Sequence, residues 1–305
     1  MMKSVAVLPI LAASALASSA LIPSGISSGC SSFLDSFNQD TSLESCISPL
    51  LTATAQFGAG ASNTSNPTSS TVSSALSSVC SASTCSSQAV GTQLSKFYAA
   101  CLVELTSNVN KDVLRTYDVL YSIVPLQQAV CTKNSNGDFC VLDIASSNSS
   151  SVSSATGESF QSISENLYSD ASSSDGSQTP VSIVPNTTTF AQNNLLFFFL
   201  SPSLSSSELC TSCTRDVMTA YLSFENLVPY APGIASSTLM SGQTALYKGV
   251  LSTCGQSFMN GAAQAAGAIS GGETAGSGAP SSMVVGTKTV GAVVGAAVLA
   301  LIAML

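Results

Sequence analysis

Lys111 to Pro125 (KDVLRTYDVLYSIVP) places Val113, Leu114, Tyr117, Leu120, Tyr121 and Val124 at spacings of three and four residues. With 3.6 residues per turn those positions share one face of a helix. Pro125 is expected to stop the run, because it has no amide hydrogen to give a helix interior. The preceding stretch repeats the pattern, with Val90, Leu94, Phe97, Tyr98, Cys101, Leu102 and Leu105 on a second apolar face. A third helix is expected from the capping box Ser205-x-x-Glu208, carrying Cys210, Cys213, Val217, Tyr221, Phe224 and Val228 on one face before Pro229. A fourth carries Leu239, Leu246, Val250, Leu251 and Cys254. Faces of this kind must cover one another, so the chain reads as mostly α-helical around one core.

Two stretches break the helical period. Ala129 to Val141 (AVCTKNSNGDFCV) sets Asn136-Gly137 between short apolar segments, a hairpin-turn signal. Asn194 to Leu200 (NLLFFFL) is an apolar run bounded by Pro202, readable as a strand or as the start of a buried helix. The expectation is a small β-hairpin or short sheet on the helices, with disordered Ser/Thr-rich segments at Ser62 to Ser74 and about residues 145–182.

Both ends are apolar. Met1-Met2-Lys3 followed by Ser4 to Leu16 reads as a signal peptide over residues 1–17, cleaved after Ala17 in the small-x-small context Ala15-Leu16-Ala17. Val290 to Leu305 (VGAVVGAAVLALIAML) is uncharged and shorter than the roughly 20 residues of a comfortable bilayer span. Small residues at Ala275-Gly-Ser-Gly-Ala279, then a spacer of about 8–12 residues, make the pattern for a glycosylphosphatidylinositol (GPI) anchor at Ser277, with Gly276 and Gly278 as alternatives. The layout expected is a short linker 18–29, an ectodomain 30–258, a Gly/Ala/Ser stalk 259–277 and an attachment propeptide 278–305 removed from the mature form.

All ten cysteines, Cys30, Cys46, Cys80, Cys85, Cys101, Cys131, Cys140, Cys210, Cys213 and Cys254, fall inside the ectodomain. An even count behind a secretion signal reads as a disulfide framework, since the secretory lumen is oxidising. Roughly nine hundred pairings are open to ten cysteines. Cys131 with Cys140 is the pair best placed locally, flanking the Asn136-Gly137 turn. Sequons at Asn63, Asn148 and Asn186 lie in or beside Ser/Thr-rich stretches and are expected to carry glycans.

Composition excludes much. The formal net charge is −8, and removing Lys3 and Lys288 with the two signals leaves sixteen acidic against six scattered basic residues. Nucleic acid needs a basic stripe and is not a partner. With no histidine there is no Ser-His-Asp or Cys-His pair, no imidazole base and no His-bearing metal site; with no tryptophan, the platforms common in sugar-cleaving enzymes are missing too. Cys210-Thr-Ser-Cys213 has redox-dithiol spacing at a helix start, but a Ser-rich cap precedes it instead of a strand, so two half-cystines are expected. Glu104, Asp112, Asp118, Glu208 and Glu225 could supply a carboxylate pair for glycoside hydrolysis. The plainer reading is solvated faces with local ion pairs, such as Lys111 or Arg115 near Asp118. Phe197, Phe198, Phe199, Tyr221 and Phe224 either fill the core or line a lipid or sterol cavity.

Cys210 to Glu225 (CTSCTRDVMTAYLSFE), Pro229-Tyr-Ala-Pro-Gly233, Ser241-Gly-Gln-Thr-Ala-Leu-Tyr247, Thr253-Cys-Gly-Gln-Ser-Phe258 and Tyr121 to Cys140 (YSIVPLQQAVCTKNSNGDFC) together resemble a family of fungal secreted, cysteine-bearing, GPI-anchored surface proteins. The resemblance covers Cys30 to Phe258 and implies a fungal source and a surface location, with no catalytic residue, metal or cofactor. Haem-binding eight-cysteine surface domains, with a Cys-x-Cys step, and hydrophobins, with adjacent cysteines, fit less well. The function expected is non-enzymatic: a glycoprotein of the outer membrane face or cell wall with a structural, protective or adhesive role. Its partners are the membrane, through the GPI lipid, and cell-wall polysaccharide. A lipid- or sterol-binding surface module is the alternative.

Overall fold

A computed structural model describes residues 22–54, 69–144, 163, 166–170 and 183–259. Its centre is the helix built on the Val113–Val124 face. Four helices precede that one: α1 (Ser28–Gln39), α2 (Glu44–Thr54), α3 (Ser69–Ser81) and α4 (Ser87–Ala100). A π-helical turn, Val103–Ser107, leads into α5 (Lys111–Val130). Asn110 starts α5 by accepting the amide hydrogens of Asp112 and Val113. After a helical turn at 140–144 come two short strands, β1 (Tyr168–Asp170) and β2 (Ile183–Pro185). They pair antiparallel, with Ser169 opposite Val184. Then follow α6 (Thr187–Asn193), a 3-10 turn Leu195–Phe197, α7 (Ser206–Leu209), α8 (Ser212–Leu227) and α9 (Gln243–Cys254). The fold is mostly helical, as the apolar periodicity requires.

Helix α5 packs against α8, α4 and α3 and is buried on nearly every side. Aromatic rings run through this contact: Phe33 meets Phe97 at 5.1 Å between centroids, Phe97 meets Tyr117 at 5.4 Å, and Tyr117 meets Tyr230 at 5.4 Å. Tyr121 lies 5.0 Å from both Tyr230 and Phe224. Several of these contacts are edge-to-face, the geometry the ring quadrupole favours.

The helix does not stop at Pro125. It continues to Val130, burying Leu126, Ala129 and Val130 completely. Leu126 and Val130 contribute about 2 kcal/mol each, enough to offset the roughly 3 kcal/mol cost of an interior proline. The α4 face is also cut differently from expectation. The π turn, with Asn108 N–H donating to Val103 C=O, shifts the helical phase. Cys101 and Leu105 stay buried while Leu102 turns out to solvent, 47% exposed. The Ser205 capping box is present, but α7 ends at Cys210 and α8 restarts with its own cap, Thr211 accepting from the Thr214 amide.

Neither stretch expected to form the sheet does so. Around Asn136-Gly137 the chain turns, with Gly137 at φ +89°, but only Lys133 and Phe139 form a bridge before helix resumes at Cys140. Leu195 to Leu200 is neither a strand nor a helix start of ordinary form. Asn194, Phe198 and Phe199 take left-handed φ values of 48°, 54° and 64°. The run curls into a knot with every apolar side chain buried, closed by Asn194 Nδ2 donating to Leu200 C=O at 2.9 Å. Each such residue costs on the order of 1 kcal/mol, offset by burying the Leu and Phe side chains. The strand pair forms instead at the stretch expected to be disordered: β1 lies within residues 145–182 and β2 just after it. Ile163 and Leu167 of that stretch reach the core because they are the apolar groups it has to bury. Helix α3 likewise begins at Ser69, inside the Ser62 to Ser74 segment expected to be disordered.

Five disulfides join Cys30–Cys101, Cys46–Cys85, Cys80–Cys131, Cys140–Cys213 and Cys210–Cys254, and no cysteine is free. The expected Cys131–Cys140 bridge is not made. Cys131 closes the end of α5 onto α3, and Cys140 opens the next helical turn against α8. The bridges sort into two sets: three within residues 30–131 and two within 140–254, with none crossing the 132–139 loop. In the loop-entropy picture each stabilises by about 4 kcal/mol.

A site-specific protease sequence inserted between the exposed Ser135 and Asn136 tests this partition. After cleavage the two pieces should co-elute in native buffer yet separate on a denaturing gel without reductant. A cut placed within residues 145–182 should instead leave the pieces joined through Cys140–Cys213 until reductant is added. A single unreduced band after the first cut would show that a bridge crosses the loop.

Candidate functional site

Asp118 interrupts the α5 stripe beside Leu114 and Tyr121 and is completely buried. Among the described residues no cation pairs with it: Arg115 turns to Asp112 at 2.7 Å instead. The carboxylate accepts from the Tyr230 hydroxyl, the Thr238 amide at 2.6 Å, the Thr238 hydroxyl at 2.7 Å and the Leu239 amide at 3.2 Å. Burial pushes its pKa above the ordinary 3.8, opposed by the hydrogen bonds from Tyr230, Thr238 and Ser237. Burial and the neighbouring Asp118 charge also push the Tyr230 phenol up. The Tyr121 hydroxyl donates to Val228 C=O at 2.9 Å, and that of Tyr221 to Leu196 C=O at 2.6 Å. One buried node therefore holds the segment after α8 onto α5.

The other carboxylates are engaged separately. Glu208 completes the α7 capping box. Glu225 accepts from Gln243 Nε2 at 2.7 Å. Glu104 is buried in the π turn, and its Oε1 accepts the Ser27 amide hydrogen at 2.6 Å, at the N-terminal end of α1. Its Oε2 has no partner among the described residues. Burial pushes the Glu104 pKa up, but the hydrogen bonds from Ser27 outweigh it and the net shift is below the ordinary 4.5. These groups occupy distinct helix ends and contacts, so each reads as a local structural device.

Cys210 and Cys213 go to different partners, Cys254 and Cys140, so the Cys-x-x-Cys spacing forms no dithiol. Among the described residues, one cluster of Cys and acidic groups lies within metal-ligating distance, Cys30, Cys101 and Glu104, and both sulfurs are in a disulfide. Phe197 packs on Tyr221 at 4.6 Å, and Phe198, Phe199 and Phe224 are buried beside them. Asn186 caps α6, its Oδ1 accepting from Thr188 and Thr189. Asn63, Asn148, Ala17 and Ser277 lie outside the described residues. Among the described residues no helix is long and apolar enough to cross a membrane.

Comparison with protein-family models, with characterised proteins and with solved structures returns no match to this chain.

Replacing Asp118 by Ala strands the Tyr230 hydroxyl and the Thr238 amide in the interior. Equilibrium urea unfolding at neutral pH should show a loss of about 3 kcal/mol for Asp118→Ala and about 1–2 kcal/mol for Tyr230→Phe. A change below about 0.5 kcal/mol in both would mean that the node does not hold the fold. Glu104 carries a pH signature. Its folded pKa is lowered, so its contribution is present above the unfolded value of 4.5 and lost as pH falls through the folded one. The margin in melting temperature of the native protein over Glu104→Gln should therefore shrink between pH 7 and pH 3.

Proposed function

We propose that this chain is a non-enzymatic, GPI-anchored fungal surface glycoprotein, its acidic ectodomain displayed on a Gly/Ala/Ser stalk at the outer membrane face or in the cell wall. The role is structural, protective or adhesive. The observation that carries the reading is the pairing of all ten cysteines. Such a framework forms and persists where the redox environment is oxidising, as on the secretory route. The sequence supplies the rest: the apolar leader, the small-residue patch at Ser277 and the uncharged run Val290 to Leu305. The buried rings of Phe197, Phe198, Tyr221 and Phe224 support a filled core over a lipid chamber. Asn186 suits a glycan, because linkage through Nδ2 leaves Oδ1 free to keep capping α6.

Phosphatidylinositol-specific phospholipase should move the protein from the detergent phase to the aqueous phase, and mass spectrometry of the mature chain should find no Val290 to Leu305 peptide. Glycosidase release in heavy-oxygen water should label Asn63, Asn148 and Asn186. A mature protein that retains Val290 to Leu305 overturns the anchor.

A further inference from the structure

Helix α4 presents Gln88, Thr92, Ser95 and Tyr98 along one strip, at spacings of three and four residues. Facing it across a cleft of about 430 Å³ is the chain that leaves α8, Leu227 to Ala231. That volume falls within the range of small-ligand sites. Tyr117, from α5, forms the floor, and Leu227 stands on the rim at 47% exposure. Gly91 lets the two walls meet at the base: a Cβ there would lie 3.1 Å from Val228 Cγ2. The far wall is held in place by the Tyr121 bond to Val228 C=O and by Tyr230 on Asp118, so the cleft exists before any ligand arrives.

Its chemistry is neutral. Among the described residues, no charged side chain lines it. In a chain of formal charge −8, an anion finds neither a counter-charge there nor an attractive field. A cation finds no carboxylate. The half-buried Tyr98 ring stacks on no other ring among the described residues. The Gln88 amide and Ser95 hydroxyl make no hydrogen bond to another described residue and remain available to a ligand. A ring flanked by uncharged donors and acceptors complements a pyranose, which has an apolar C–H face and a rim of hydroxyls. A lipid tail would leave the hydroxyl and amide wall unsatisfied. A second open cleft, between α2 and α3, is lined by Ser, Thr, Ala and Pro and offers no ring.

We propose that the cleft between α4 and residues 227–231 is a binding site for a neutral oligosaccharide, with Tyr98 as the stacking platform and Gln88 and Ser95 as hydrogen-bonding partners. Taking cell-surface polysaccharide as the natural source rests on the function proposed above; the chemistry of the site does not.

The test titrates the purified mature protein with cello-, laminari-, chito- and mannohexaose by calorimetry. At least one should bind. Tyr98→Ala should weaken that binding by about tenfold or more, while Tyr98→Phe, which keeps the ring, should stay within about threefold. Ser95→Arg, at an exposed position, should block the cleft to a similar degree with an unchanged melting temperature, and carries the test should Tyr98→Ala misfold. The site is overturned if no hexaose binds, if binding survives both Tyr98→Ala and Ser95→Arg, or if a sulfated hexasaccharide or oleate binds more tightly and displaces the neutral sugar. Phospholipase release reads the anchor separately. Sugar binding without an anchor keeps the site and removes the display, and an anchor without sugar binding does the reverse.

Discussion

A carboxylate taken out of water must have its lone pairs met by the protein, and Asp118 meets this condition with donors from a segment more than a hundred residues away. Because no disulfide crosses the 132–139 loop, the two bridged sets are otherwise joined by that loop and by packing. Asp118, Tyr121 and the ring contacts of Tyr230 are the specific part of that packing. A buried ion can be worth less than a well-packed hydrophobe in stability. Its effect here is positional: only one register of residues 230–239 against α5 brings hydroxyl and amide hydrogens onto both oxygens. The wall of the α4 cleft inherits its position from that register.

A second constraint comes from the knot after α6. Three non-glycine residues in the left-handed region are tolerated because the surrounding chain leaves no alternative. Gly249 of α9 approaches so closely that a Cβ there would lie 2.4 Å from Pro202 Cβ, and a Cβ on Gly242 would strike Asn194 Oδ1. The Tyr221 hydroxyl fastens the knot from α8 through Leu196 C=O. Among the described residues, local backbone strain of this kind thus falls where aromatic burial and close helix approach both oppose its release.

What could be read from the sequence followed the range of the forces involved. The faces at Val90–Phe97, Val113–Val124 and Val217–Phe224 were legible because side-chain direction repeats every 3.6 residues whatever the tertiary context. The Ser205–Glu208 cap was legible for the same local reason. The passage through Pro125 was not, since it depends on what Leu126 and Val130 meet elsewhere. Cys131 and Cys140 are neighbours in sequence, yet each is pulled to a different helix, and pairing is set by packing that spacing does not encode. Asp118 did carry a signal, an acidic residue on the edge of an apolar stripe, but its partners, Tyr230 and Thr238, lie in a segment of no regular period. Phe198 and Phe199 in left-handed conformations contradict the bulky-residue rule, so no propensity argument reaches them.

The order of the cysteines along the chain has a consequence for synthesis. On the secretory route proposed above, a chain emerging into an oxidising lumen from its N-terminus would present Cys30 through Cys131 before Cys140 exists as a competitor, and those six cysteines could complete all three of their bridges among themselves. Six cysteines admit about 15 connectivities and the remaining four about 3, so vectorial emergence divides a search among hundreds of arrangements into two short ones taken in turn. The helix that ends at Cys131 is also the surface on which α8 later docks, so the first product of oxidation becomes the template for the second. Oxidative refolding of the complete reduced chain loses that ordering, and scrambled bridges between the two sets should be its dominant side products.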